Sequence, residues 1–274
     1  MAIREFAKSH DDLNLRYEIR GAGEPVALIM GFSGSMRGWG EPFLAAMGKR
    51  FKLILLDNRG TGESDKPDRS WTLADMAADV AAVLDHAGIP RAHIYGISMG
   101  GMIAQEFALS HPSKTRGLVL GCTNCGMGHS IPAAPEAVAA LMPVPGASPE
   151  EQARKGFAAA CGKKFLDSDY GKAYLDQAIA DIGKYPVTPI HTFMRQGAAI
   201  QGFDSWERLA RIKSPTLIIH GDDDTIVPCQ NAEVLHKRIV GSKSHIIKDA
   251  GHMFFWEAVD EAAGVPGDFL AAVK

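Results

Sequence analysis

Short apolar runs alternate with amphipathic stretches along most of the chain. The first two runs, at residues 3–9 and 13–20, alternate apolar and polar positions, which predicts a hairpin with one solvated face. The runs that follow are continuously apolar, as is typical of strands buried on both faces. They lie at residues 25–30, 51–56, 92–96, 117–120, 216–220 and 244–247.

Segments with helical spacing of apolar residues separate these runs. They lie at about residues 39–49, 71–87, 99–110, 206–212, 228–239 and 255–273. Thr72 is the expected N-cap of the second segment, and Pro266 is expected to interrupt the last. Strands that alternate with helices predict an α/β protein with a mostly parallel, eight-stranded sheet and helices on both faces.

The alternation stops between residues 123 and 204. This stretch, called here the inserted segment, holds seven prolines and short helical patterns at 149–160, 169–182 and 188–200. We interpret it as a helical cap, inserted after the sixth strand into a core domain formed by residues 1–122 and 205–274. Ligands of open α/β sheets bind at the carboxyl edge of the strands, so a cap leaving that edge is expected to cover a site.

Composition and charge narrow the class of protein. The chain is 46% hydrophobic and 22% charged with a net charge of −3, and no run of Lys and Arg indicates a nucleic-acid or membrane partner. Residues 1–8 lack the apolar centre of a signal peptide, and no uninterrupted apolar stretch is long enough to span a bilayer. We therefore expect a cytoplasmic protein whose four cysteines are reduced. The sequence does not determine its oligomeric state.

The sequence Gly96-Ile97-Ser98-Met99-Gly100 joins a buried strand directly to a helix. Such a reversal brings backbone segments very close, and Gly96 and Gly100 permit it because they have no Cβ. Ser98 at the apex is expected to project outward in a strained conformation, near the first N–H groups of the helix. The Gly-x-Ser-x-Gly pattern predicts that Ser98 is a nucleophile. The alternative is a helix-capping serine in a glycine-rich turn.

A serine nucleophile needs a base, and the base needs an acid to orient it. His252 lies in a glycine-containing loop after the last strand, where its ring can reach over the sheet edge. Asp222, Asp223 and Asp224 follow another strand and so lie at the same edge. Their spacing does not choose among them, although Asp224 is nearest to the turn that follows.

Acyl transfer also needs N–H donors for the oxyanion. The N–H of Met99, at the start of the helix, is one expected donor. The N–H of Phe32 is the other, because Gly31 and Gly34 let the backbone of that loop approach. This chemistry needs neither a metal nor an organic cofactor.

A second pattern gives a weaker signal. Cys122, Cys125 and His129 have a partial metal-like spacing, but a closed zinc site needs a fourth ligand. We interpret the two cysteines as small residues at the end of a strand.

With these residues in place, the chain resembles α/β-hydrolase-fold serine hydrolases. The group includes small carboxylesterases, enol-lactone hydrolases and cofactor-free haloperoxidases. The resemblance covers nearly all of the chain outside the inserted segment. It rests on residues 57–64, 96–100, 221–228 and 251–252.

The resemblance implies the α/β-hydrolase fold and the roles of several residues. It selects Asp224, the third residue after the loop glycine, as the acid, and it implies that Asp57 and Arg59 are structural braces. The chain departs from the family at the oxyanion loop. Met30 stands where many relatives have His, and Ser33 stands where some have Pro.

The expected function is hydrolysis of a carboxylic ester or lactone through an acyl-enzyme on Ser98. Met127, Phe193 and Met194 of the inserted segment are expected to line an apolar pocket for this small-molecule substrate. The same triad also fits a C–C bond hydrolase or a perhydrolase. A ligand-binding, receptor-like protein with incidental turnover is the alternative outside enzymes.

Overall fold

The computed structural model describes residues 3–274 and contains an eight-stranded sheet. The strands are β1 Ile3–Lys8, β2 Asn14–Arg20, β3 Pro25–Ile29, β4 Lys52–Leu56, β5 Ala92–Ile97, β6 Thr115–Gly121, β7 Thr216–Gly221 and β8 Lys243–Ile247. Their order is β1-β2-β4-β3-β5-β6-β7-β8. The β1–β2 and β2–β4 pairs are antiparallel and the other pairs are parallel. The predicted mostly parallel, eight-stranded sheet is confirmed.

Helices follow most of the strands. Those outside the inserted segment are α1 Glu41–Gly48, α2 Leu73–His86, α3 Met99–Ser110, α9 Gln230–Arg238, α10 Phe254–Glu257 and α11 Val259–Ala271, with 3₁₀ helices at Met36–Trp39 and Trp206–Arg211. Those of the inserted segment are α4 Pro135–Leu141, α5 Pro149–Ala160, α6 Lys163–Asp167, α7 Asp169–Ala180 and α8 Ile190–Gln201. No helix within residues 3–274 is both long enough and apolar enough to cross a lipid bilayer.

Two apolar cores cover the two faces of the sheet. Successive residues of β3 alternate between them: Ala27 and Ile29 join the core beneath α2 and α3, whereas Val26 and Leu28 join the core beneath α1 and α11. A strand buried on both faces must be apolar at every position, which is why β3 reads as a continuous apolar run.

The predicted N-cap of α2 is confirmed. The Thr72 hydroxyl accepts a hydrogen bond from the Asp75 N–H at 3.2 Å, and the Asp75 carboxylate accepts one from the Thr72 N–H at 2.8 Å. This reciprocal pair satisfies N–H groups that have no partner within the helix.

The interruption in the last helical region was predicted at the wrong residue. The chain breaks at Ala258, which has φ −132° and ψ 57°, and α11 then continues through Pro266. Pro266 lies on the buried face of α11 together with Ala262 and Leu270. A proline removes one backbone hydrogen bond from the helix. Burial of this face offsets that loss, because tertiary packing supplies most of the stability of a helix.

The inserted segment begins and ends at one place. Gly126 and Asp204 form an antiparallel bridge, and the Ser205 N–H donates to the Cys125 carbonyl at 2.9 Å. Helices α4 and α6 were not predicted, because each is short. The buried apolar cluster of the segment consists of Phe157, Cys161 and Phe165, and Tyr174 and Trp256 pack against it. Met142 of the same segment is 43% exposed.

Candidate active site

Ser98 occupies the strained turn that the sequence predicts. It has φ 53° and ψ −124° between β5 and α3, a conformation that L-residues rarely adopt. A Cβ on Gly96 would lie 2.0 Å from the Gly100 carbonyl oxygen, and one on Gly100 would lie 2.1 Å from the Ile29 carbonyl oxygen. Both positions therefore require glycine for the turn to form. The Thr123 hydroxyl also donates a hydrogen bond of 2.7 Å to the Ser98 carbonyl.

The loop that follows β3 lies directly beside Ser98. A Cβ on Gly31 would be 3.0 Å from the Ser98 Cβ and 3.6 Å from its Oγ. Within residues 3–274, neither the Phe32 N–H nor the Met99 N–H donates to a protein acceptor. An oxyanion hole needs N–H groups that are free for the substrate, so both predicted donors have the required property.

His252 and Asp224 form a buried pair. The His252 Nδ1 lies 2.8 Å from Asp224 Oδ2, and the two side chains are 10% and 0% exposed. The other carboxylate oxygen of Asp224 accepts the N–H groups of Ile226 and Val227 at 2.9 and 2.8 Å. The turn nearest to Asp224 in sequence thus anchors its carboxylate, while the free oxygen orients the imidazole.

The neighbouring carboxylates are used elsewhere. Asp222 Oδ1 accepts the Asp249 N–H at 2.7 Å, and Asp223 Oδ2 accepts the Lys163 N–H at 2.9 Å. Of the three adjacent aspartates, Asp224 is the one whose carboxylate is bonded to the His252 ring, in agreement with the choice that the resemblance made.

Cys122 is a site residue to which the sequence analysis gave no role beside His252. Its Sγ, an Asp224 oxygen and a ring nitrogen of His252 lie within 4.8 Å of one another. Cys122 follows β6, and its neighbours bind the backbone of Ser98, since the Ser98 N–H donates to the Gly121 carbonyl at 2.9 Å. Burial raises the pKa of the Cys122 thiol, so the group is neutral at ordinary pH. Its position at the carboxyl end of β6 was the available signal.

The strand end carrying Cys122 therefore contacts both Ser98 and His252. The Ser98 hydroxyl makes no hydrogen bond within residues 3–274. Nucleophile and base often come into contact only when substrate binds, so this geometry is compatible with a triad whose first link forms in the complex.

Glu257 joins the His252 loop to the inserted segment, and sequence reasoning missed it. Its Oε2 accepts the Gly251 N–H at 3.0 Å and the Gly162 N–H at 2.9 Å. Burial raises the pKa of this carboxyl group. One acidic side chain thus ties the base loop to the segment that follows α5.

Other histidines have structural surroundings. His220 is buried beside the site, and burial lowers its pKa to about 4, so its neutral Nε2 accepts the Thr123 N–H at 3.3 Å. His245 lies on β8, which is an edge strand, and its Nε2 is 2.6 Å from Glu261 Oε1. The His129 ring stacks on Trp206 at 4.5 Å, whereas Cys122 lies with Asp224 and His252.

The predicted braces are confirmed. Asp57 accepts the N–H groups of Met36 and Glu63, both at 2.8 Å. The Arg59 guanidinium forms two hydrogen bonds of 2.6 Å to the buried Asp79 carboxylate. Neither side chain is available for chemistry.

The predicted pocket residues have different surroundings. The Phe193 ring lies 4.4 Å from the ring of Phe32, so Phe193 borders the oxyanion loop. Met127 and Met194 are 71% and 56% exposed. Their role in substrate binding stays a prediction.

Met30 stands where many relatives have His, and its side chain packs against the loop that follows β3. Its side chain is 4% exposed, and a Cβ on Gly34 or Gly38 would lie 2.6 or 3.1 Å from it. Its carbonyl accepts a hydrogen bond from the Asn58 side chain at 2.9 Å. The loop is therefore packed and bonded without an imidazole.

The His252–Asp224 pair determines whether the rate should rise or fall with pH. Burial disfavours the imidazolium, whereas the charge and hydrogen bond of the Asp224 carboxylate, with a contribution from Cys122, favour it and hold the pKa of His252 above the ordinary 6.5. With His252 as the predicted base, its protonated form could not accept the Ser98 proton, so kcat/KM for the expected aryl ester activity should fall as pH falls through that pKa. A rate profile from about pH 5 to 9 measures the acid limb. A midpoint at or below 6.5 would contradict this assignment.

A strained serine between a parallel strand and a helix, with a His–Asp pair at the same sheet edge, is the arrangement of α/β hydrolases. The chain belongs to the alpha/beta hydrolase fold family, whose model matches residues 24–259. It is a hydrolase of this family.

Relatives cover nearly the whole chain. It is 30% identical to "Putative carbamate hydrolase RutD" of Variovorax paradoxus, over 95% of this chain and 97% of that protein. It is 29% identical to 2-hydroxy-6-oxo-6-phenylhexa-2,4-dienoate hydrolase of Comamonas testosteroni, over 96% and 93%. The structure of a thermophilic esterase from Thermogutta terrifontis matches with a TM-score of 0.81 at 25% identity, over 99% of each chain.

Proposed function

We propose that this hydrolase cleaves a carboxylic ester or lactone through an acyl-enzyme on Ser98. One observation carries the proposal. The Phe32 and Met99 N–H groups have no acceptor within residues 3–274 and lie beside a strained serine, at the edge that holds the His252–Asp224 pair. A nucleophile, an oriented base and two oxyanion donors are the parts that acyl transfer to water requires.

Acylation begins when His252 Nε2 takes the Ser98 proton and Ser98 Oγ attacks the carbonyl carbon. The carbonyl π electrons move to oxygen, and the N–H groups of Met99 and Phe32 stabilise the resulting oxyanion. Asp224 holds the His252 Nδ1–H and stabilises the imidazolium. The intermediate collapses, the C–O bond of the leaving group breaks, and His252 protonates the departing alkoxide.

Deacylation repeats these steps with water as the nucleophile. His252 takes a proton from water, the hydroxide attacks the acyl carbon, and the same two N–H groups hold the second oxyanion. Ser98 leaves with the proton returned by His252, and the carboxylic acid is released. For a lactone, alcohol and acid remain in one product.

The inserted segment is proposed to act as a cap over this site. Its contacts at the His252 loop, through Glu257, and at Phe32, through Phe193, support that role. Phe193 gives the covered space an apolar wall, which favours an apolar acyl or alcohol group.

The relatives support a hydrolytic reaction at a carbonyl but differ in the bond cleaved. The Thermogutta terrifontis match is an esterase, the Comamonas testosteroni protein is a dienoate hydrolase, and the Variovorax paradoxus protein carries a carbamate name. C–C bond cleavage with the same triad is the second candidate, and the dienoate hydrolase is the observation that favours it.

Substrate panels with active-site labelling test the proposal. We expect turnover of p-nitrophenyl esters from acetate to dodecanoate and of simple lactones, and a fluorophosphonate adduct on the peptide containing Ser98. Labelled protein that cleaves a 2-hydroxy-6-oxodienoate but no ester or lactone would establish the second candidate instead. Turnover of a carbamate, without turnover of an ester, lactone or dienoate, would indicate a carbamate hydrolase. Labelled protein without turnover in any panel would favour ligand binding, and absence of a Ser98 adduct would remove the nucleophile.

A further inference from the structure

Ser33 of the oxyanion loop adopts an unfavourable backbone conformation. Its φ is 61°, in the left-handed region that favours glycine or asparagine. Residues 31–34 form a turn closed by a hydrogen bond of 3.2 Å from the Gly34 N–H to the Gly31 carbonyl. A positive φ at the third residue of such a turn is characteristic of type II geometry, where glycine is usual.

Two side chains of the inserted segment hold Ser33 in this state. The Ser33 N–H donates to Gln196 Oε1 at 2.8 Å, and the Ser33 carbonyl accepts the Thr188 hydroxyl at 2.9 Å. Both backbone polar groups of Ser33 are thus bonded by residues more than 150 positions away in sequence. These bonds offset the strain that a non-glycine residue carries here.

The Gln196 side chain is buried, and both its amide oxygen and its amide nitrogen form hydrogen bonds. It is 0% exposed, and its Nε2 donates to the Arg59 carbonyl at 3.1 Å. Its amide therefore bridges the oxyanion loop and the buried loop that carries Arg59. On the same helix, α8, Phe193 packs against Phe32, so α8 contacts both central residues of the turn.

We propose that Gln196 is a positioning residue that aims the Phe32 N–H at the developing oxyanion. The Phe32 N–H and the Gly31 carbonyl belong to one peptide plane. The Gly34–Gly31 hydrogen bond holds that plane, and Gln196 holds the next peptide of the same turn by accepting the Ser33 N–H. The inference rests on the proposed function, because it assigns Phe32 to the oxyanion hole. The inserted segment thus supports catalysis as well as covering the site.

The decisive variant is Gln196→Met, which keeps the side-chain volume and removes the acceptor for the Ser33 N–H. We expect kcat for an aryl ester to fall roughly 10- to 100-fold, with KM within about threefold of wild type. Complete loss of an oxyanion donor lowers kcat by more than this, and displacement of the donor should cause part of that loss. Affinity for a trifluoromethyl ketone, which forms an oxyanion on Ser98, should weaken by a similar factor.

Thr192→Val is the matched control. Thr192 lies one turn away on α8, is also fully buried, and donates its hydroxyl to the Gly60 carbonyl at 2.9 Å rather than to the oxyanion loop. It should lower the thermal midpoint about as much as Gln196→Met. Its kcat and ketone affinity should stay near wild type, and an equal kcat loss in this control would overturn the assignment.

The double variant Ser33→Gly/Gln196→Met separates positioning from a general loss of packing. Glycine adopts a positive φ without support, so the added substitution should restore part of the lost kcat. If Gln196→Met does not fold, Thr188→Val takes its place, because Thr188 is only partly buried. That variant should lose kcat several-fold at an unchanged thermal midpoint.

The outcomes distinguish the two proposals. A wild type that neither turns over substrate nor labels on Ser98 overturns the proposed function, and the role of Gln196 falls with it. If wild type does both, an unchanged kcat in folded Gln196→Met overturns the positioning role alone. Where Gln196→Met does not fold, an unchanged kcat in Thr188→Val does so.

Discussion

Replacing Ser98 by alanine should lower kcat for an aryl ester by about 10⁴- to 10⁶-fold, the scale seen when a triad nucleophile is removed. That loss corresponds to about 5–8 kcal/mol of transition-state stabilisation. The backbone should tolerate the change, because the Ser98 hydroxyl makes no hydrogen bond within residues 3–274 and alanine keeps the Cβ. The thermal midpoint should therefore stay the same or rise.

Kinetics, fluorophosphonate labelling and thermal unfolding of Ser98→Ala give three independent readouts. Ser110→Ala is a suitable control, since Ser110 ends the same helix and its hydroxyl bonds only the Glu106 carbonyl. We expect that control to keep full activity and label. A Ser98→Ala enzyme retaining more than about one hundredth of wild-type kcat would show that the chemistry uses another group.

Replacing Asp224 by asparagine should lower kcat by about 10³- to 10⁴-fold. The amide oxygen can still accept the Ile226 and Val227 N–H groups, so the loop should remain folded. The amide nitrogen would then face His252 Nδ1 and donate to it. That bond places the ring proton on Nε2, where it blocks acceptance of the Ser98 proton.

The three adjacent aspartates make this a sharp test. Asp222→Asn and Asp223→Asn change the same charge in the same loop, but their carboxylates bond Asp249 and Lys163 rather than His252. Both should keep kcat within about threefold of wild type, as expected for residues outside the catalytic group. Should Asp223→Asn be as damaged as Asp224→Asn, net charge rather than imidazole orientation would explain the loss.

The Asp224→Asn variant also tests the cause of the raised pKa of His252. Because the Asp224 carboxylate makes the largest contribution that raises this pKa against the effect of burial, Asp224→Asn should move any residual acid limb to lower pH. The two control variants should leave the limb in place.

The inserted segment contributes to the site at two separate points. Gly162 is bonded by Glu257 beside the His252 loop, and Gln196 bonds Ser33 beside Phe32, a proposed oxyanion donor. A segment that only covered substrate would not need hydrogen bonds to both of these loops. These contacts indicate that the geometry of the site depends on how the inserted segment is docked.

The sequence by itself determined the sheet and the serine turn, and it placed His252 and Asp224 at the same sheet edge. Strand and helix periods are local, because they reflect which face of each element is buried, and they predicted the strands to within one or two residues. Gly96 and Gly100 marked the Ser98 turn since contact distances of 2.0 and 2.1 Å exclude any side chain. Asp224 was found through its place in a family motif.

Only the tertiary structure decided which distant residues support these groups. Gln196 and Ser33 are 163 positions apart, and no local period or motif relates a buried glutamine to a loop backbone. Cys122 beside His252 and the continuation of α11 through Pro266 likewise depend on packing between separate elements. Local patterns place each loop at the sheet edge, but hydrogen bonds across the fold are set by how whole elements dock, which no short stretch of sequence specifies.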